Sequence, residues 1–131
     1  MSYADNNAKL CALAGALAVA AVQLLSVLQP GIVEVDGEEM VNAGQALALL
    51  DGHWAAFFRL QYRGFCGGCS INSLVGAAWF SVLPANWFVW KLVPTTLVSL
   101  FTYVGFRLLD RRVGRRGAWA FVALVFFAPR A

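Results

Sequence analysis

Apolar residues in this chain come in long runs separated by short polar connections, and the lengths of those runs predict the elements. Leu10 to Leu28, LCALAGALAVAAVQLLSVL, is broken only by Gln23 and Ser26, and Pro30 and Gly31 follow as helix terminators. Phe65 to Leu83 and Trp87 to Leu109 are two further runs, joined by a turn at Pro84, Ala85, Asn86 and Trp87. Each run approaches or exceeds the ~20 residues that cross the hydrocarbon of a bilayer, and none carries a charge in its central part. The reading is three spanning helices, over 10–28, 65–83 and 87–109. Two of them form a hairpin.

Between the first two runs the period changes. Ile32 to Glu39 holds four of the seven acidic residues and no basic one, which marks a water-exposed loop. Asp36 can cap a helix that places Glu38 and Glu39 in its first turn, against the positive end of the helix dipole. From Met40 to Leu60 the polar positions Asn42, Gln45, Gly52 and Arg59 recur at roughly helical spacing. They leave a broad apolar face of Leu47, Leu50, Trp54, Phe57, Phe58 and Leu60. This predicts an amphipathic helix over 37–62, lying in the interface or partly inserted, because Asp51 and His53 would be costly in the middle of a lipid-facing span. Gly117 to Ala128 is apolar but too short to span comfortably, and reads as a short C-terminal helix stopped by Pro129. The expected fold is thus all-α, a single polytopic membrane domain over 1–131.

Two small-residue faces predict how the helices pack. Cys69, Ser73, Ala77 and Ser81 recur every fourth residue, as do Ala12, Ala16 and Ala20, and small faces let helix backbones approach closely. The expectation is that these two seams meet. Trp79, Trp87 and Trp90 crowd the tip of the hairpin, where Lys91 can snorkel to water.

Composition agrees with the pattern. The chain is 60% hydrophobic and 13% charged, with a mean hydropathy of +0.67, whereas about a quarter of the residues of a soluble domain are charged. The net charge of +3 is concentrated in Arg107, Arg111, Arg112, Arg115 and Arg116, which crowd one connection beside an apolar run. That is a topogenic signal and a contact for anionic headgroups rather than a nucleic-acid footprint. It places this connection in the cytoplasm and the Trp87 tip outside. The leading MSYADNNAK is nearly neutral and no small-x-small cleavage site follows the first run, so that run reads as a span and not as a cleaved signal.

Candidate chemistry is sparse. Cys66 and Cys69 are separated by two glycines at a helix start, a spacing that serves a strained disulfide, a redox dithiol or half of a tetrahedral metal site. A metal would need two more ligands, and the chain offers only Cys11 and His53. A thioredoxin-like dithiol would need a soluble βαβ domain, which the pattern lacks. Small residues that let a helix start pack tightly account for the same four positions. Asp51 and His53 are two apart and do not face each other on a helix, which argues against a proton relay. Walker, Gly-x-Ser-x-Gly, His-Glu-x-x-His and haem-attachment motifs are all missing, and no cofactor is expected.

The stretch FCGGCSINSLVGAAWF, followed by a turn and a second helix, resembles the core of small bacterial and phage membrane proteins of the DUF1360 type. In these a Cys-x-x-Cys opens a membrane helix. The resemblance covers Arg63 to Leu109, and departs from that pattern in its two inter-cysteine glycines and in Asn72 and Ser73, where an aromatic is usual. It implies a membrane hairpin and no defined reaction. The function expected from all of this is a non-catalytic accessory or structural subunit of a larger membrane assembly, partnered by other membrane proteins and lipid, in a bacterial inner membrane or one derived from it. A thiol protein using Cys66 and Cys69 for redox or metal handling is the alternative, and a holin-like or transport oligomer a weaker one.

Overall fold

The computed structural model describes residues 3–28, 37–55 and 67–127. Every regular element among them is helical: α1 (Tyr3–Val27), α2 (Gly37–Leu50), α3 (Gly67–Phe80), α4 (Trp87–Trp90), α5 (Leu92–Arg112) and α6 (Arg115–Phe127). Two stretches are long and apolar enough to cross a membrane, Asp5–Val27 with 23 residues and Trp87–Arg112, which joins α4 to α5, with 26. At 1.5 Å per residue these rise about 34 and 39 Å, more than the ~30 Å of a hydrocarbon core. The third expected span is not confirmed: among the described residues α3 has 14 residues, a rise of about 21 Å.

The helix boundaries follow local chemistry. α1 starts well before Leu10, because the polar leader forms its own first turns, with Asp5 paired to Lys9 one turn on at 2.8 Å. The predicted helix over 37–62 ends instead at Leu50. Gly52 adopts φ +83°, the Gly52 N–H donates to the Leu49 carbonyl at 3.1 Å and the His53 N–H reaches back to that of Ala48 at 2.9 Å. This pair of bonds closes a helix C-terminus around a left-handed glycine. Asp51 and His53 are therefore exposed turn residues. α3 stops three residues short of the predicted Leu83, as the amides of Val82 and Leu83 both bond to Trp79 O and the residue before Pro84 is disfavoured in a helix. Asn86 then caps α4, its side chain accepting the Val89 N–H at 3.0 Å.

The helices group into two compact units, Met1–Ser26 with Thr95–Ala131, and Val27–Pro94. In the first, Ala12 and Val19 of α1, Phe106 of α5, and Ala118 and Val122 of α6 form the core, flanked by Cys11, Val98, Tyr103, Leu109, Phe121 and Val125. Phe106 and Trp119 meet edge to face at 5.3 Å, and Phe101 and Phe121 at 5.5 Å. Gly105 lets the second pair in: a Cβ there would lie 2.5 Å from the Phe121 ring. Gly114, at φ +89°, makes the tight turn from α5 to α6. Its N–H bonds to Leu109 O at 3.1 Å and its carbonyl accepts the Ala118 N–H at 3.2 Å. α6 begins at Arg115, two residues before the predicted Gly117.

In the second unit α2 lies on α3 through a side other than its broad apolar face. Asn42, Ala46 and Leu49 are buried, whereas Met40, Leu47 and Leu50 are 58%, 42% and 45% exposed. The expected apolar face is the outer one for Leu47, Leu50 and Trp54; Phe57, Phe58, Arg59 and Leu60 lie outside the described residues. Small residues inside permit the close approach. A Cβ on Gly76 would lie 3.2 Å from Ala46 Cβ and 2.4 Å from the Trp90 ring.

Candidate functional site

The polar side chains that an apolar helical protein buries are its candidate functional groups, because each costs free energy unless it is satisfied. Asn42, Ser73, Thr95 and Thr102 are buried, and each unit has one cluster of polar groups that includes partly buried charges.

In the second unit the cluster joins α2, α3 and the start of α5. Lys91 Nζ lies 2.6 and 2.7 Å from the two carboxylate oxygens of Glu39, with side-chain exposures of 16% and 28%. Lys91 therefore does not snorkel to water as expected. One turn along α2, the Asn42 carbonyl accepts a hydrogen bond from Ser73 Oγ at 3.1 Å. Ser73 is fully buried and Asn42 is 2% exposed, yet Asn42 Oδ1 has no partner within the protein. Asn42 faces a cavity of about 110 Å³ that is also lined by Glu38, Glu39, Asn72, Trp90, Val93 and Pro94. A second, apolar groove of about 330 Å³ runs between Met40, Gly44 and Leu47 of α2 and Phe80, Trp87 and Trp90.

In the first unit the cluster lies beside the arginine-rich turn. Arg107 donates to Asp5 Oδ1 at 2.7 Å and to the Asp5 carbonyl at 3.3 Å, and Lys9 completes the group. Arg115 bonds to Asp110 at 2.6 Å across the α5–α6 turn, lies 6.0 Å from the centre of the Phe106 ring, and donates to Cys11 Sγ at 3.1 Å. The Asp110 carboxylate raises the Arg115 guanidinium above its usual range, chiefly through that hydrogen bond. The five arginines thus fall into two classes. Arg107 and Arg115 are tied to carboxylates, while Arg111, Arg112 and Arg116 are exposed.

The predicted seams are present in part. Ala12 and Ala16 are buried and Ala20 half-buried on α1; Ser73 and Ala77 are buried on α3, while Ser81 is exposed in the following turn and bonds to Ala78 O at 2.7 Å. Each seam has neighbours within its own unit. Ala12 belongs to the core with α5 and α6, and Ser73 packs on α2. Gly76, absent from the predicted seam, is the closest approach on α3.

Cys66 lies outside the described residues, as does the side chain of Cys69, so the metal or dithiol expected there has no geometry to assess. Among the described residues no three His, Cys, Asp or Glu side chains converge as a metal site. Cys11, considered as a distant third ligand, is instead held by Arg115. The pairs Lys91–Glu39, Ser73–Asn42 and Arg115–Cys11 were not legible in the sequence. They join residues 52, 31 and 104 positions apart, and no local spacing encodes such partners. The Asn86 cap, expected above only as part of a turn, has a local signal, since Asn is a preferred residue ahead of a helix.

No family model, no curated protein and no solved structure matches the chain. The reading of its function rests on this geometry.

Proposed function

We propose that the protein is a polytopic membrane subunit without catalytic activity, which works by packing into a larger assembly of membrane proteins. Its place is a bacterial inner membrane or one derived from it. The observation that carries this is the outward surface of its two longest helices. Only 22% of each spanning window is buried within the protein. Leu10, Leu13, Leu17 and Leu25 of α1, and Leu100, Phe101, Val104 and Leu108 of α5, are all 45–67% exposed. Large apolar side chains turned outward on both spans suit lipid or a partner helix, and would be a liability in water.

The polar groups support the same reading. Ser26 and Thr102 bond back to the carbonyls of Val22 and Val98, both at 2.7 Å, so these two hydroxyls bond within their own helices. Arg111, Arg112 and Arg116 sit exposed beside Val113 and Trp119, which are 67% and 41% exposed. Cations next to apolar and indole side chains fit a surface of anionic headgroups, with the arginine turn on the cytoplasmic side.

Photocrosslinking tests the subunit reading. A photoreactive residue at Leu17 or Leu100, activated in native membranes, is expected to give a discrete, saturable adduct with a membrane protein, and the chain is expected to purify with it in fixed ratio. Adducts to lipid alone at both positions, with a chain that purifies as a free monomer, would exclude it.

A further inference from the structure

We infer that the turn between α5 and α6 binds one anionic lipid whose headgroup carries two phosphodiesters. The inference deepens the headgroup contact proposed above and rests on it. Two observations narrow the partner: the charge left over at the turn, and the surface that runs away from it.

Of the five arginines, Arg107 shares Asp5 with Lys9, and Arg115 is held by Asp110. Arg111, Arg112 and Arg116 are exposed, and among the described residues their side chains form no ion pair or hydrogen bond. Three positive charges are thus uncompensated between positions 111 and 116. Guanidinium groups pair with phosphate oxygens through a bidentate fork. Arg111 and Arg112 end α5, and Arg116 lies in the first turn of α6, where the positive end of the helix dipole adds to the same field. One phosphate at each helix end neutralises two of the three charges. A lipid with a single phosphodiester leaves two unmatched.

Below each helix end runs an exposed apolar track. On α5, Leu108 stands one turn from Arg111 and Arg112, with Val104 and Phe101 at successive turns beyond it; on α6, Trp119, Ala123 and Phe127 follow Arg116 in the same way. All six are exposed. Each track, from Arg112 back to Phe101 and from Arg116 on to Phe127, rises about 17 Å, roughly half of the ~30 Å hydrocarbon core. That is the depth of one leaflet. The Phe106–Trp119 and Phe101–Phe121 ring contacts hold α5 beside α6, so a headgroup that bridges the turn sends acyl chains down both tracks.

The test is native mass spectrometry of the full chain released from dodecyl maltoside and titrated with tetraoleoyl cardiolipin, dioleoyl phosphatidylglycerol or dioleoyl phosphatidylcholine. One cardiolipin is expected to bind saturably, about fivefold or more tightly than phosphatidylglycerol, the ratio that one further headgroup charge pair supplies. Arg112→Gln and Arg116→Gln should each weaken it about fivefold, and glutamine at positions 111, 112 and 116 together about a hundredfold. Lysine at the same three positions keeps the charge without the fork and should fall between. All of these changes lie on exposed side chains, and an unshifted unfolding midpoint in lipid-free detergent verifies the fold. Equal affinity for cardiolipin and phosphatidylglycerol, uptake that does not saturate, or a triple glutamine variant that binds cardiolipin like the parent would overturn the inference and leave the membrane reading standing. A chain that stays monomeric in water without detergent would overturn both.

Discussion

Gly76 is where α3, α2 and Trp90 come closest, and replacing it with Ala measures how tightly they pack. A Cβ built there lies 2.4 Å from Trp90 Cζ3, 3.1 Å from Cε3 and 3.2 Å from Ala46 Cβ. Relief requires moving the indole, but Trp90 is 3% exposed and meets Phe80 in a tilted ring contact at 6.1 Å. The ring also borders the apolar groove and the smaller cavity, so moving it gives up its present contacts. Overpacking of this kind costs about 1–3 kcal/mol. Against it stands the gain of ~0.5–1 kcal/mol for removing a glycine from a helix interior. Gly44, on α2, supplies the control, because a Cβ there meets nothing within 4 Å. Gly44→Ala should therefore show the helix gain alone. Gly76→Ala should range from near neutral to about 2.5 kcal/mol less stable than the parent. The difference between the two variants cancels the shared propensity and isolates the clash, at about 1–3 kcal/mol. Equilibrium unfolding in dodecyl maltoside with increasing SDS, read by tryptophan emission, measures both. A Gly76→Ala protein as stable as the Gly44→Ala protein would refute the α2–α3–Trp90 packing.

Other outcomes follow from the same geometry. Glu39→Gln and Lys91→Met should each destabilise by about 1–3 kcal/mol, since each removes a charged hydrogen-bond partner from a partly buried ion pair. The double variant should recover part of that loss, and additive losses in the cycle would show that the pair is not formed. Asn86→Ala removes the α4 cap and should cost about 1 kcal/mol; an unchanged unfolding midpoint would show that Asn86 does not cap the helix. If Trp87–Arg112 crosses the bilayer, Ala85→Cys and Arg116→Cys should be labelled by an impermeant maleimide from opposite sides, and labelling from one side rules out the crossing. Cys66→Ser with Cys69→Ser should leave expression and partner binding intact for a non-catalytic subunit. A stoichiometric metal in the parent protein, lost from this variant, would favour the thiol reading instead.

The sequence alone determined the helical character and the two long apolar stretches, because hydropathy over a run of residues and the presence of Pro and Gly are local properties. Leu10 to Leu28 and Trp87 to Leu109 were recognisable from composition; α1 covers the first up to Val27, and the α4–α5 stretch contains the second. The C-terminal helix was likewise legible between Gly117 and Ala128, within two residues of α6. Interruptions were harder. The run from Phe65 to Leu83 looks continuous, but hydrogen bonds to Trp79 O end α3 before Pro84, and Gly52 ends α2 inside an apparently unbroken amphipathic period.

Only the tertiary structure decided which faces turn inward and which charges pair. On α2 the pattern marks Leu47 and Leu50 as an apolar face, but the buried positions are Asn42, Ala46 and Leu49. Where the surroundings are themselves apolar, hydrophobicity no longer distinguishes inside from outside, and backbone approach favours small residues in the interior. The Ala12 and Ser73 seams were visible as small-residue faces, yet a small face is complementary to any other helix. Nothing in its spacing names α6 for one and α2 for the other. The arginines show the same division. Their cluster is a fact of sequence, but Asp5 and Asp110 select Arg107 and Arg115 and leave Arg111, Arg112 and Arg116 facing outward. Ion pairs form between charges that the fold brings within a few ångströms, and Asp5 lies 102 residues from Arg107 in the chain.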